Sequence, residues 1–214
     1  IGTLPFQCSA TVILPTAKAT DDCSTITISP TWEYGNGYGP WANVELGDHI
    51  VTYIATDACG NSSSKTMKLT VVDNTPPQAV CKGSIQLSLT SSGTTIISAA
   101  VLDDGSTDNC GQVSFSISRD DIEFSPTLLL TCADIGQPIL LTLRVRDETG
   151  LENFCQVEAS VRDFIKPTVQ CPANLTLSCR QDYNDLQLTG KATASDNCAL
   201  QSLDFTQVIQ LNAC

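Results

Sequence analysis

The chain has 214 residues, with 11 Lys and Arg against 23 Asp and Glu for a formal net charge of -12, and 42% of it is hydrophobic. That charge repels phosphate and so excludes a nucleic-acid partner, the apolar fraction excludes a disordered acidic tail, and no apolar run approaches the ~20 residues that cross a bilayer. Eleven cysteines with neither a CxxC pair nor a Cys/His cluster argue against zinc and for disulfides in an oxidising compartment.

In chain order, the first distinctive stretch is TWEYGNGYGPW at 31–41, which gathers both tryptophans and two of the four tyrosines: Trp32, Tyr34, Tyr38 and Trp41. Exposed aromatics on glycine hinges stack on sugar rings, which makes these four a candidate ligand platform; the alternative is a loop folded over its own sheet edge. His49, the only histidine, lies in a strand-like stretch with neither nucleophile nor orienting motif beside it, so a satisfied imidazole is expected and catalysis is not. IATDACGN places Asp57 at a turn, and DNTPP follows at 73–77. Ile85, Leu87 and Leu89 then alternate with polar residues. VLDDGSTDNC carries Asp103, Asp104 and Asp108. In ILLTLRVRD, Leu141, Leu143 and Val145 oppose Thr142, Arg144 and Arg146, and in NFCQVEASVRD Cys155, Val157, Ala159 and Val161 share one face. These are period-two, half-buried strands, and no segment offers a 3.6-residue period. DFIKP at 163–167 and ASDNC ending at Cys198 close the series.

The series repeats. Asp57 and Asp147 are 90 residues apart, as are Asp73 and Asp163, and Cys81 and Cys171, while Cys23, Cys110 and Cys198 end ATDDC, STDNC and ASDNC. Three copies are expected: 1–76, incomplete at its start; 77–167, whole; and 168–214, incomplete at its end. About 90 residues with roughly seven short strands fits an immunoglobulin-like sandwich of two antiparallel sheets. The fold expected is therefore all-β: tandem, disulfide-bonded immunoglobulin-like β-sandwiches. Proline at DNTPP and DFIKP removes a backbone donor and fixes φ, so the linkers should be stiff and the array a rod.

The combination of ATDACGN, KLTVVDNTPP, VQCPANLTL and ATASDNC resembles the hyalin-repeat (HYR) class of immunoglobulin-like modules, most of all those in tandem arrays of gliding-type bacterial surface adhesins. The resemblance covers essentially the whole chain. It implies an extracellular, cell-surface adhesive segment or structural stalk without catalysis, whose partners are other repeats of a long chain and surface polysaccharide or other surface proteins. The competing reading is a carbohydrate-binding accessory module of a secreted enzyme.

Aligning the copies sorts the cysteines into slots. By parity Cys81 and Cys155 lie on inward faces of the first and last strands of the second copy, which are neighbours in a sandwich, so they should pair. Cys110 with Cys132 follows by elimination. For Cys59 two partners stand open: Cys8, because both slots are empty in the second copy, or Cys23, because the Cys8 strand end and the Cys59 turn should lie at opposite ends of a sandwich.

The carboxylates recur at strand ends. Asp57, Asp73, Asp108, Asp147, Asp163 and Asp196, with Asp22, would gather near junctions, and clustered hard oxygens suit calcium; the alternative is that they cap turns as Asx motifs. The linker chemistry predicts that small-angle scattering gives a rod about two to three times the length of one domain; a compact sphere contradicts stiff junctions.

Overall fold

The structure, a computed structural model, describes residues 1–22, 25–178 and 180–204. The chain forms two compact units. The first comprises Ile1–Cys81, Asp103–Ser116 and Leu143–Cys155, and the second Lys82–Leu102, Ile117–Thr142 and the described residues from Gln156 on.

In the first unit, β1 (Ser9–Val12) pairs with β4 (Trp41–Glu45). A second sheet runs in the order β3 (Gly35–Asn36), β2 (Thr27–Trp32), β5 (Gly47–Thr56) and β6 (Ser62–Val71), antiparallel throughout. The long β5–β6 pairing runs from Gly47 opposite Val71 to Thr56 opposite Ser62, and its polar stretch of Ser62, Ser63, Ser64, Lys65 and Thr66 stays exposed. The opposite face is apolar. Ala10, Val12, Leu14, Trp32, Val44, Val51, Leu69 and Val71 meet between the two sheets in one core. Each buried valine or leucine there contributes about 1.5–3 kcal/mol of transfer free energy.

The remaining strands are β7 (Ser84–Ser88), β8 (Thr94–Ser98), β9 (Ser114–Ser118), β10 (Thr127–Thr131), β11 (Ile139–Arg146) and β12 (Glu152–Arg162). They form a sheet in the order β7-β12-β11-β9 and a β8-β10 pair, so the architecture is all-β, built of several small sheets. The alternation read from sequence matches the burial: Leu141, Leu143, Val145, Val157 and Ala159 are fully buried, and their neighbours Leu140 and Phe154 are exposed. One pairing departs from the antiparallel expectation. β7 runs parallel to β12, with Ser84 opposite Glu158 and Ser88 opposite Arg162, because the first and last strands of a copy both lead from one linker toward the next. The first copy repeats this pattern, with Thr3 N donating to Val72 O and Val72 N to Ile1 O. Farther on, β13 (Thr168–Gln170) pairs with β14 (Thr193–Ser195), and the single turn α1 (Leu186–Thr189) is started by Asp185, whose carboxylate accepts Gln187 N. No helix among the described residues is long and apolar enough to cross a membrane.

Three disulfides are present among the described residues. Cys81 is bridged to Cys155, with Cα atoms 5.8 Å apart. The other two correct the within-copy pairings: Cys8 joins Cys110 and Cys132 joins Cys198, at Cα separations of 4.6 and 5.3 Å. Cys110 is therefore not paired with Cys132. Elimination failed because it admitted only partners inside one aligned copy, whereas each of these bridges joins cysteines that the 90-residue alignment assigns to different copies. Cys8 being taken, the Cys8–Cys59 pairing also falls, and Cys59 is an exposed, unbridged thiol, as is Cys171. That removes Cys23–Cys59 too, and Cys23 itself lies outside the described residues.

The aromatic stretch is corrected as well. Trp32 is buried in the first core and Tyr34, Tyr38 and Trp41 pack against it, so the four rings fill a hydrophobic gap and do not stand out as a platform. Their polar tips are used locally: Tyr38 Oη donates to Ile28 O, Trp41 Nε1 to Gly37 O, and Tyr34 Oη accepts Glu45 N. The ring of His49 meets Trp32 edge-on at 5.9 Å and Tyr34 at 5.7 Å.

His49 is buried, its Nδ1 against the Glu33 carboxylate and its Nε2 2.9 Å from Glu45 O. Burial opposes the charged ring, but the Glu33 carboxylate and the Glu45 carbonyl outweigh it and raise the pKa above 6.5. A raised folded-state pKa stabilises fully below the unfolded value, and that contribution fades as pH rises through the folded one. Proton NMR of this sole histidine should give a midpoint above about 6.5, lowered by Glu33→Gln, with the stability gap between the two proteins widest below that pH. A midpoint unmoved by Glu33→Gln contradicts the pairing.

Candidate functional site

The Asp-Asn-Cys motif occurs at 108–110 and again at 196–198, and both occurrences hold their surroundings in the same way. In each, the aspartate accepts the cysteine N–H: Asp108 Oδ2 from Cys110 N at 2.7 Å, and Asp196 Oδ1 from Cys198 N at 3.0 Å. This Asx turn projects the following two side chains in one direction. Asn109 Nδ2 donates to Gln7 O and to Thr3 Oγ1, and Cys110 bonds Cys8. Asn197 Nδ2 donates to Thr90 O, and Cys198 bonds Cys132. One asparagine and one cysteine thus hold an earlier stretch of the chain at each occurrence. In both, the asparagine Oδ1 is buried without a hydrogen-bond partner.

A second feature adjoins the first motif. Asp73, just beyond the end of β6, Asp147, just beyond β11, and Asp108 each offer a carboxylate oxygen, and the three oxygens lie within 4.8 Å of one another. Asp73 and Asp147 are only 8% and 7% exposed. Each carboxylate is split in its duties. Asp147 Oδ1 accepts from Thr149 N, Thr149 Oγ1, Gly150 N and Leu151 N; Asp73 Oδ1 accepts from Thr75 N and Thr3 Oγ1. The other oxygens, Asp147 Oδ2, Asp73 Oδ2 and Asp108 Oδ1, are buried with no partner.

Other expected metal residues stay apart. Asp57 occupies the turn equivalent to that of Asp147, but Asn61 stands where Leu151 does and its Nδ2 satisfies Asp57 Oδ2 at 2.8 Å. Both oxygens are consumed, and these bonds, Asn61 first, hold the Asp57 pKa below its ordinary value. Asp163 caps Ile165 N, Asp196 caps Cys198 N and Asp103 caps Gly105 N and Ser106 N. None of these four joins the cluster among the described residues. Asp57, Asp163 and Asp196 each cap a turn, the alternative role read from the sequence. Thr3, Asn109 and Asn197 escaped the sequence reading, although the recurrence of DNC marked the two asparagines.

No protein-family model matches the chain, and no curated protein matches it. Among solved structures it is similar to the fibronectin(III)-like modules of Clostridium thermocellum CbhA, with 10% identity over 68% of this chain and 83% of that one at a TM-score of 0.31. It is also similar to the tandem Ig repeats of Dlar, with 12% identity over 64% and 83% at 0.24, and to protocadherin gammaB7 EC3-6, with 16% identity over 81% and 52% at 0.36.

The exposed thiols give a direct check. Brief iodoacetamide treatment of the native protein should label Cys59 and Cys171, while Cys8, Cys81, Cys110, Cys132, Cys155 and Cys198 remain unlabelled until reduction. Native labelling of Cys110 or Cys198 contradicts the grip described above.

Proposed function

We propose that the chain is a non-enzymatic, extracellular segment of a repetitive cell-surface protein, a stalk or filament that carries attachment or motility and is built from copies bounded near 76/77 and 167/168. One observation carries this reading: the two bridges that join one copy to the next, Cys8–Cys110 and Cys132–Cys198, give a covalent route along the chain shorter than the backbone. Tension entering at Ile1 leaves the main chain at Cys8, crosses to Cys110, leaves again at Cys132 and crosses to Cys198. The loops 9–109 and 133–197, which contain most of the strands, then bear no load. An attachment stalk needs this property and a freely diffusing binding module does not. Disulfides of this number also suit a secreted or extracellular setting. Other repeats of the same chain are the nearest partners, with surface polysaccharide or surface proteins at its far end.

Single-molecule stretching of the chain from its two ends tests the proposal. In the oxidised protein Cys8–Cys110 and Cys132–Cys198 keep the loops 9–109 and 133–197 closed, which leaves at most about 50 residues to extend, or roughly 170 Å at about 3.4 Å per residue. After reduction the released length should grow roughly fourfold. Equal extension before and after reduction shows that the chain has no load-bearing shortcut and removes the stalk reading.

A further inference from the structure

We propose that Asp73, Asp108 and Asp147 together bind one divalent cation of the calcium class. The first ground is distance. Three carboxylate oxygens within 4.8 Å of one another, about twice the 2.3–2.6 Å of a calcium–oxygen bond, allow one ion among them to touch all three. The second ground is independent of their clustering. Asp73 Oδ2 and Asp147 Oδ2 belong to side chains more than nine-tenths buried and have no hydrogen-bond partner, nor has the buried Asp108 Oδ1. A buried carboxylate oxygen left unpaired is costly, and three like charges at this range add repulsion. None of the ion pairs among the described residues includes any of the three.

Turn capping leaves one oxygen of each carboxylate without a hydrogen-bond partner, so an ion can be held without breaking a cap. The backbone N–H groups at Thr75, Cys110 and Thr149 to Leu151 hold one oxygen of each carboxylate and so orient the other. An all-oxygen donor set suits a hard cation, and calcium tolerates an irregular shell completed by water more readily than magnesium does. Asn109 fixes the arrangement from the side: its Nδ2 bonds Thr3 Oγ1, which bonds Asp73 Oδ1. Asn109 Oδ1, buried and unpartnered, is a neutral oxygen beside the carboxylates in sequence. The three ligands come from chain segments on both sides of Pro76 and Pro77, so the ion would fasten those segments by bonds that chelation can undo. This holds whether or not the chain adheres to anything.

Calcium titration by calorimetry on the whole oxidised chain, stripped with chelator, tests the inference. The expected result is one ion per chain with a dissociation constant of about 10⁻⁶–10⁻³ M, and a melting temperature raised by roughly 5–10 °C at a hundredfold excess over that constant. Asp73→Asn, Asp108→Asn and Asp147→Asn should each weaken binding at least tenfold, since the amide keeps the shape and the capping oxygen but loses the charge. Asp57→Asn and Asp163→Asn, which lie outside the cluster, should leave it unchanged. Formation of the Cys8–Cys110 bridge in each variant, read by mass, reports whether the fold survives; if one variant misfolds, the other two carry the test. No saturable calcium binding up to 10 mM, or binding that all three well-folded variants retain, overturns the proposal.

Discussion

The structure depends on a cysteine that looks backward. Cys110 and Cys198 occupy the same place in successive copies, and each is bonded to a cysteine of the copy before it, Cys8 and Cys132. The bridge forms because the Asp-Asn turn holds the thiol against that copy, with Cα atoms 4.6 and 5.3 Å apart and the asparagine amide bonded across at Gln7 O and Thr90 O. Closing loops of this length removes about 4–5 kcal/mol of unfolded-chain entropy per bridge on the loop-closure estimate. That is a sizeable fraction of a small domain's net stability, typically 5–15 kcal/mol.

The bridge and the carboxylates belong to one local design. Asp108 starts the turn that sends Cys110 to Cys8, its second oxygen is buried without a partner, and its carboxylate lies near those of Asp73 and Asp147. The bridge is permanent in an oxidising compartment, whereas the carboxylate contact depends on what neutralises it. Substituting Asn61 by Leu151 at the equivalent turn makes the difference between a self-contained aspartate and an orphaned one.

Much of the fold could be read from residues. The alternation at Leu141, Leu143 and Val145 and at Val157, Ala159 and Val161 gave the strands and their buried faces, because a period of two is a local property of the chain. Strand parity also singled out Cys81 and Cys155, since first and last strands must be neighbours in a sandwich. The bridges between copies were not readable by the same route. Slots within one alignment column carry no information about which copy supplies the partner, and Cys110 and Cys132 satisfy counting equally well inside or across copies. The aromatic stretch misled for a related reason: glycines at 35, 37 and 39 signal a turn, but only packing shows that Trp32 turns inward while Tyr34, Tyr38 and Trp41 close over it. Of the carboxylates, recurrence indicated seven positions, and only geometry separated the three whose second oxygen is unsatisfied.

The stalk reading rests on the Cys8–Cys110 and Cys132–Cys198 bonds, and peptide mapping of the unreduced protein measures them directly. Digestion without reduction, followed by mass spectrometry, should yield a cross-linked peptide pair containing Cys8 and Cys110 and another containing Cys132 and Cys198. A pair joining Cys110 to Cys132 would mean that each copy closes on itself, and would contradict the account.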